Sequence, residues 1–185
     1  MNRRDLIGAG LGLGLAVAAA PLPALARTRS ETPSGQPRVL SLHHLHTNER
    51  LTLAYRIGDH YQRSALQRLN HFLRDHRTGD VTSIDPRLFD LLHDVQRQLG
   101  NPDGTFQVLS AYRSPRTNAM LSRTSRGVAT RSLHLTGQAI DVRLTQASTR
   151  NIRDAALGLS RGGVGFYPRS DFVHLDTGRV RRWGA

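Results

Sequence analysis

The chain has 185 residues, with 26 basic side chains, all of them arginine, against 14 acidic ones and a formal net charge of +12. That length accommodates one domain with a short appendage and excludes two full-sized ones, and a hydrophobic share of 38% excludes a mostly disordered chain. The absence of cysteine rules out a disulfide framework, thiolate zinc fingers, iron–sulfur clusters and cysteine nucleophiles, so a transition metal here must be held by histidine and carboxylate.

Residues 1–26 have the layout of an export signal. Arg3-Arg4 precede an uncharged run from Leu6 to Ala20, followed by Pro21, Pro23 and the small-residue site Ala24-Leu25-Ala26. The twin arginine followed by Leu6-Ile7 is similar to a Tat signal, with Asn2 where Ser or Thr is more usual; a Sec signal is the alternative. The apolar run is shorter than the ~20 residues of a membrane span, so no stable span is expected in the mature, periplasmic form; retention as an uncleaved anchor is the alternative. Residues 27–38, rich in Ser, Thr and Pro, are expected to form a flexible leader, with the domain at 39–185.

Val39–His46 and Leu51–Tyr55 are expected as strands of a hairpin around Thr47–Arg50. Leu66, Leu69 and Leu73 at helical spacing predict a helix over Tyr61–Leu73. Asp85-Pro86 supplies an N-cap and a first-turn proline to a second helix. Leu88, Leu91, Leu92, Val95 and Leu99 form its apolar face and Gly100 stops it. A strand over Thr105–Ala111 and a short helix over Pro115–Leu121 follow. Gln138–Leu144 alternates, with Ile140, Val142 and Leu144 on one face and Ala139, Asp141 and Arg143 on the other. A last helix, Thr149–Leu159, is expected to stop at Gly162-Gly163, before a hairpin pairing Val164–Tyr167 with Asp171–Asp176. Early helices, late strands and no strict alternation predict an α+β fold, a mainly antiparallel sheet with helices on one face.

The polar residues least expected of a plain core fall in three segments, around Arg113, from Ser132 to Asp141, and from Asp171 to His174. Gly137 lets the chain bend so that His134 and Asp141 converge, and His174 comes from the last strand. Two histidines and one aspartate make a three-ligand Zn²⁺ set with the fourth position open, the mark of a catalytic rather than a structural site. Asp171 has strand parity opposite to His174, so it must lie at a turn or bulge to face the same cleft, where it could accept a proton from metal-activated water.

Taken together these segments resemble the zinc D-alanyl-D-alanine peptidases of the VanX/VanY type, in particular their periplasmic YcbK-like (MepK) branch of murein endopeptidases. Ser110-Ala111-Tyr112-Arg113-Ser114 with Asn118 is similar to the family's arginine segment. Ser132, His134, Gly137, Ala139 and Asp141 match its metal segment, and Asp171 with His174 its final acid-x-x-His. Leu42–Thr47 and Arg181-Arg182-Trp183 also look like that branch, and the likeness runs from about Arg38 to Trp183.

The resemblance implies the α+β fold shared with the hedgehog signalling domain. It also implies one Zn²⁺ per chain on His134, Asp141 and His174, with Asp171 as general base. Arg113 would hold a substrate carboxylate or polarise the scissile carbonyl, with Ser132 and Tyr112 as further substrate candidates; capping a loop and packing beneath Arg113 are their structural alternatives. Many relatives carry Glu at the base position, and this chain has only Glu31 and Glu49 elsewhere.

The implied substrate is the peptide cross-link of peptidoglycan, with the choice between D-Ala–diaminopimelate and diaminopimelate–diaminopimelate bonds left open. The alternatives are a murein carboxypeptidase and a non-catalytic zinc module that binds the cell wall. His43, His44 and His46 suggest a second metal site but lack a carboxylate at matching spacing, so structural or exposed roles are expected. The arginines are dispersed without a reading helix or aromatic platform, so nucleic acid is not expected as a partner.

Overall fold

In the computed structural model, which describes residues 35–124 and 129–184, eight strands form one sheet in the order β3-β2-β1-β4-β5-β7-β6-β8. The export signal expected over residues 1–26 and most of the expected leader lie outside the described residues. β1 (Pro37–His44) and β2 (Arg50–Ile57) make the expected hairpin, with Asn48 in its turn at a left-handed φ of 57° that an Asn tolerates. A short β3 (His60–Tyr61) takes Tyr61, the residue expected to open the first helix, so α1 spans Arg63–Phe72. α2 (Pro86–Gln98) begins as predicted: the Asp85 carboxylate accepts the Arg87 amide and Pro86 occupies the first turn.

β4 (Thr105–Ser110) lies parallel to β1 and antiparallel to β5 (Ala139–Leu144). Between them run α3 (Pro115–Thr124) and a 3-10 turn, Leu133–Thr136. α4 (Thr149–Leu159) has the predicted bounds, capped by the Ser148 hydroxyl. Its stop differs from the expectation. Ser160, at φ 51°, ends the helix, and Gly163 already belongs to β6 (Gly163–Tyr167). Gly162 serves packing instead: at φ 88° its Cα lies where a side chain would strike the Asp176 carbonyl oxygen.

β6 pairs with β7 (Phe172–Asp176) across a four-residue turn, and β8 (Arg181–Trp183) adds to β6 in parallel. Two parallel pairs among otherwise antiparallel ones give the mainly antiparallel α+β fold read from the sequence. Leu40, Leu42, Ile140, Val142, Val173 and Leu175 share one core with Leu69, Leu88, Leu92 and Ile152 of α1, α2 and α4. Burial of this apolar face is the main stabilising term. α3 contributes no residue to that core. Among the described residues no helix is long and apolar enough to cross a membrane.

Candidate metal centre

Strand register brings the candidate ligands together. Asp141 of β5 sits directly opposite His174 of β7, and period-2 alternation sends both side chains to the face away from α1, α2 and α4, since Ile140, Val142, Val173 and Leu175 fill the core. His134 arrives from the 3-10 turn. Ser132 Oγ accepts the His134 amide at the start of that turn, and Gly137 ends it at φ 66°. His134, Asp141 and His174 are 2%, 5% and 8% exposed, and among the described residues they are the group of three whose ligand atoms lie within 4.8 Å of one another.

Each of the three is held from behind. His134 Nδ1–H donates to the Ala111 carbonyl at 2.5 Å, which leaves Nε2 bare and 3.3 Å from Asp141 Oδ1. His174 Nε2–H donates to Asp176 Oδ2 at 3.1 Å, so Nδ1 faces Asp141 Oδ1 at 2.9 Å. Asp141 Oδ2 accepts Arg113 Nη2 at 2.5 Å, which turns Oδ1 toward the histidines. Such outer partners fix the tautomer and orientation of metal ligands. A donor set of two imidazole nitrogens and one carboxylate oxygen suits Zn²⁺. Burial pushes the His134 pKa down against the pull of Asp141. For His174 burial also acts downward, but the hydrogen bonds to Asp141 and Asp176 outweigh it and the net direction is up. Burial would raise Asp141, yet His134 and His174 hold it well below the usual carboxylate range.

A cleft of about 360 Å³ opens over this cluster, walled by Arg113, Arg131, Ser132, Tyr167, Phe172, Arg181 and Trp183. Arg113 is thus where the sequence predicts it, although its charge is paired with Asp141 and its Nε bonds Ser110 Oγ at 2.9 Å. Ser132 lines the cleft and caps the turn at once. Tyr112 does not line it; it packs against the core, and its amide bonds the Leu73 carbonyl. Asp171 is not brought to the triad. It occupies the β6–β7 turn at φ 52° with its side chain 63% exposed, accepting Thr149 Oγ1 at 3.1 Å and facing Arg143 Nε at 3.3 Å.

Asp176 is the residue that sequence reasoning missed. It is fully buried, and its carboxylate accepts the amides of Gly163 and Gly178, both Arg181 Nη groups and His174 Nε2. The signal was available: two positions beyond His174 on one strand, it shares that residue's face. The N-terminal histidines are structural. His44 is buried and its Nδ1 accepts the His46 and Thr47 amides, while His43 Nε2 pairs with Asn48 at 2.9 Å.

A mixed sheet carrying a buried His–Asp–His cluster on its open face fits the peptidase class named by the sequence motifs. The chain matches the family described as "Peptidoglycan L,D-endopeptidase MepK" over residues 32–183. It is 47% identical over 148 residues to the peptidoglycan L,D-endopeptidase MepK of Escherichia coli (strain K12), covering 80% of this chain and 81% of that protein. A probable peptidoglycan L,D-endopeptidase MepK of Haemophilus influenzae is 40% identical over 148 residues, with 80% of each chain covered. The chain therefore belongs to the MepK family of peptidases, within the VanX-like branch.

Proposed function

We propose that the protein is an exported Zn²⁺-dependent murein endopeptidase that hydrolyses L,D cross-links between diaminopimelate residues. The observation that carries this reading is the cluster of His134, Asp141 and His174, each with a separate outer partner, at the floor of an open cleft. The relatives' names supply the bond, and the twin-arginine segment at 1–26 supplies the route to the periplasm, where that bond is found. Held by His134 Nε2, Asp141 Oδ1 and His174 Nδ1, a Zn²⁺ would polarise the scissile carbonyl and lower the pKa of water to about 7.

The chain's own groups do the rest. Arg113 is fixed through Nε and Nη2 and lines the cleft, where its charge stabilises the oxyanion that develops on the carbonyl. Ser132 keeps the His134 turn in register. The proton from water passes to Asp171 and then to the leaving amine. Asp141 is a ligand and Asp176 is fully engaged, so Asp171 is the one exposed carboxylate of the β6–β7 hairpin, and it serves by swinging away from Thr149 and Arg143. Catalytic hydrogen bonds commonly form only when substrate is bound.

Digestion of purified sacculi, read by mass, tests the reading. Zinc-loaded protein should convert diaminopimelate-linked dimers to monomers, and chelated protein should not. Asp171→Asn should keep its metal and lose at least tenfold in turnover. Undiminished turnover in that variant would remove Asp171 from the mechanism, and an unchanged muropeptide profile with the wild type would remove the function.

A further inference from the structure

Among the described residues three guanidinium groups line the cleft, and two of them are committed. Arg113 is paired with Asp141 Oδ2 and Ser110. Arg181 places Nη1 and Nη2 on the two Asp176 oxygens at 3.0 and 2.7 Å, and its guanidinium lies 4.9 Å from the Trp183 ring centroid. Withdrawing either to meet a ligand would leave a buried carboxylate, the candidate ligand Asp141 or the His174 partner Asp176, without its cation. Arg131 differs. It is exposed on the cleft wall, and among the described residues it makes no ion pair and no side-chain hydrogen bond. It stands three residues before His134, a separation of at most about 11 Å along the chain, and Ser132, next to it, is pinned by the bond to the His134 amide.

Resting on the proposed L,D-endopeptidase reading, the chemistry of the bond says what such a cation would meet. When the amine side of the bond is the D-centre of diaminopimelate, the carbon that bears the scissile nitrogen also bears a carboxylate. Every productive substrate thus brings a negative charge to within two bonds of the leaving nitrogen, into a partly dehydrated cleft. A planar guanidinium fork matches a carboxylate with two parallel hydrogen bonds. We infer that Arg131 is the carboxylate subsite for the leaving half of the cross-link. It is the specificity-determining residue that separates a free diaminopimelate carboxylate from an amidated one. Arg113, assigned by sequence to either carboxylate or oxyanion, keeps the oxyanion.

The test uses two synthetic diaminopimelate-linked dimers that differ only in whether the carboxylate beside the scissile nitrogen is free or amidated. The zinc-loaded wild type should favour the free acid by at least tenfold in kcat/KM, mainly through KM. Arg131→Gln should lose that preference, and Arg131→Lys should restore part of it as a point charge. Zinc content and melting temperature should match the wild type, because Arg131 touches no ligand. A wild type indifferent to amidation, or an Arg131→Gln variant with the wild-type preference, would overturn the subsite while leaving the endopeptidase intact. Failure of the wild type on both dimers would overturn the functional reading and the subsite with it.

Discussion

Asp176 shows how much of the site depends on a side chain that touches no substrate. Its carboxylate is fully buried with five hydrogen-bond donors around it, and although burial acts to raise its pKa, the bonds from His174 and Arg181 hold it well below the ordinary range. It stays ionised and holds the His174 proton on Nε2, which leaves Nδ1 free to bind a metal. Asp176→Asn preserves the shape but removes the charge and opposes one amide N–H to a donor. Zinc affinity, measured by competition with a chromogenic chelator, should fall about 10–100-fold, with the folded structure retained by far-UV circular dichroism. Unchanged affinity would show that Asp176 serves only Arg181 and the two glycine amides. At this scale the candidate ligands, which the fold does bring together, were legible because few residue types bind metals and the chain has no cysteine. Asp176 was less legible because the acid-x-x-His pattern singles out Asp171, whereas Asp176 shares the His174 face from two residues beyond it. Asp171 was placed correctly at a turn, but nothing local could say that Thr149 and Arg143, from 22 and 28 residues away in sequence, would hold its side chain.

The elements around the site are fixed by their ends rather than their middles. The 3-10 turn that delivers His134 begins at the Ser132 hydroxyl and ends at Gly137, whose φ of 66° suits glycine. The Gly137 carbonyl accepts the Asp85 amide at 2.9 Å, and the Asp85 carboxylate caps α2 and accepts Thr177 Oγ1 at 2.8 Å, so α2, the ligand turn and the segment after β7 share one junction. A Cβ on Gly137 would strike the Ser83 carbonyl oxygen. Gly137→Ala should therefore cost more than the ~1 kcal/mol of left-handed backbone strain alone, about 2–4 kcal/mol by urea denaturation, and weaken zinc binding in parallel. A loss under 1 kcal/mol would mean that the junction relaxes freely. Caps of this kind explain why α2 and α4 were legible almost to the residue. β3 and β8 were not, since two or three residues carry no periodicity and pair only because an edge awaits them. The end of α4 was legible but not what ends it, because Ser160 takes a backbone conformation usually left to glycine.

Across the whole molecule, the fold class followed from the order of helical and alternating segments, whereas the two parallel pairings did not. They depend on β1 meeting β4 and β6 meeting β8 across long stretches of chain. The same long-range assembly gathers histidines that the sequence scatters: His76 stacks on His46 with ring centroids 4.1 Å apart and planes 9° from parallel, and both rings lie edge-on to His44. Burial first, then the neighbouring His46, lowers the His44 and His76 pKa values to about 4 each. Both stay neutral in the folded state at pH 7, whereas the unfolded chain protonates them near 6.5. Between those values the unfolded state binds more protons, so stability falls as pH falls from about 6.5 to about 4. The buried His44 accounts for at most about 3 kcal/mol of this, and the half-buried His76 for less. Below about pH 4 a second loss follows, as Glu49, Asp75, Asp85 and Asp94, all held below the ordinary carboxylate range, are forced to protonate. Urea denaturation of zinc-loaded protein, with His134 and His174 committed to the metal, should trace the first decline between pH 7 and 4.5. His76→Gln should make it shallower by removing one titrating ring and the stack. Equal slopes in the variant and the wild type would remove His76 and its stack from the acid sensitivity, leaving it to His44 or to groups elsewhere.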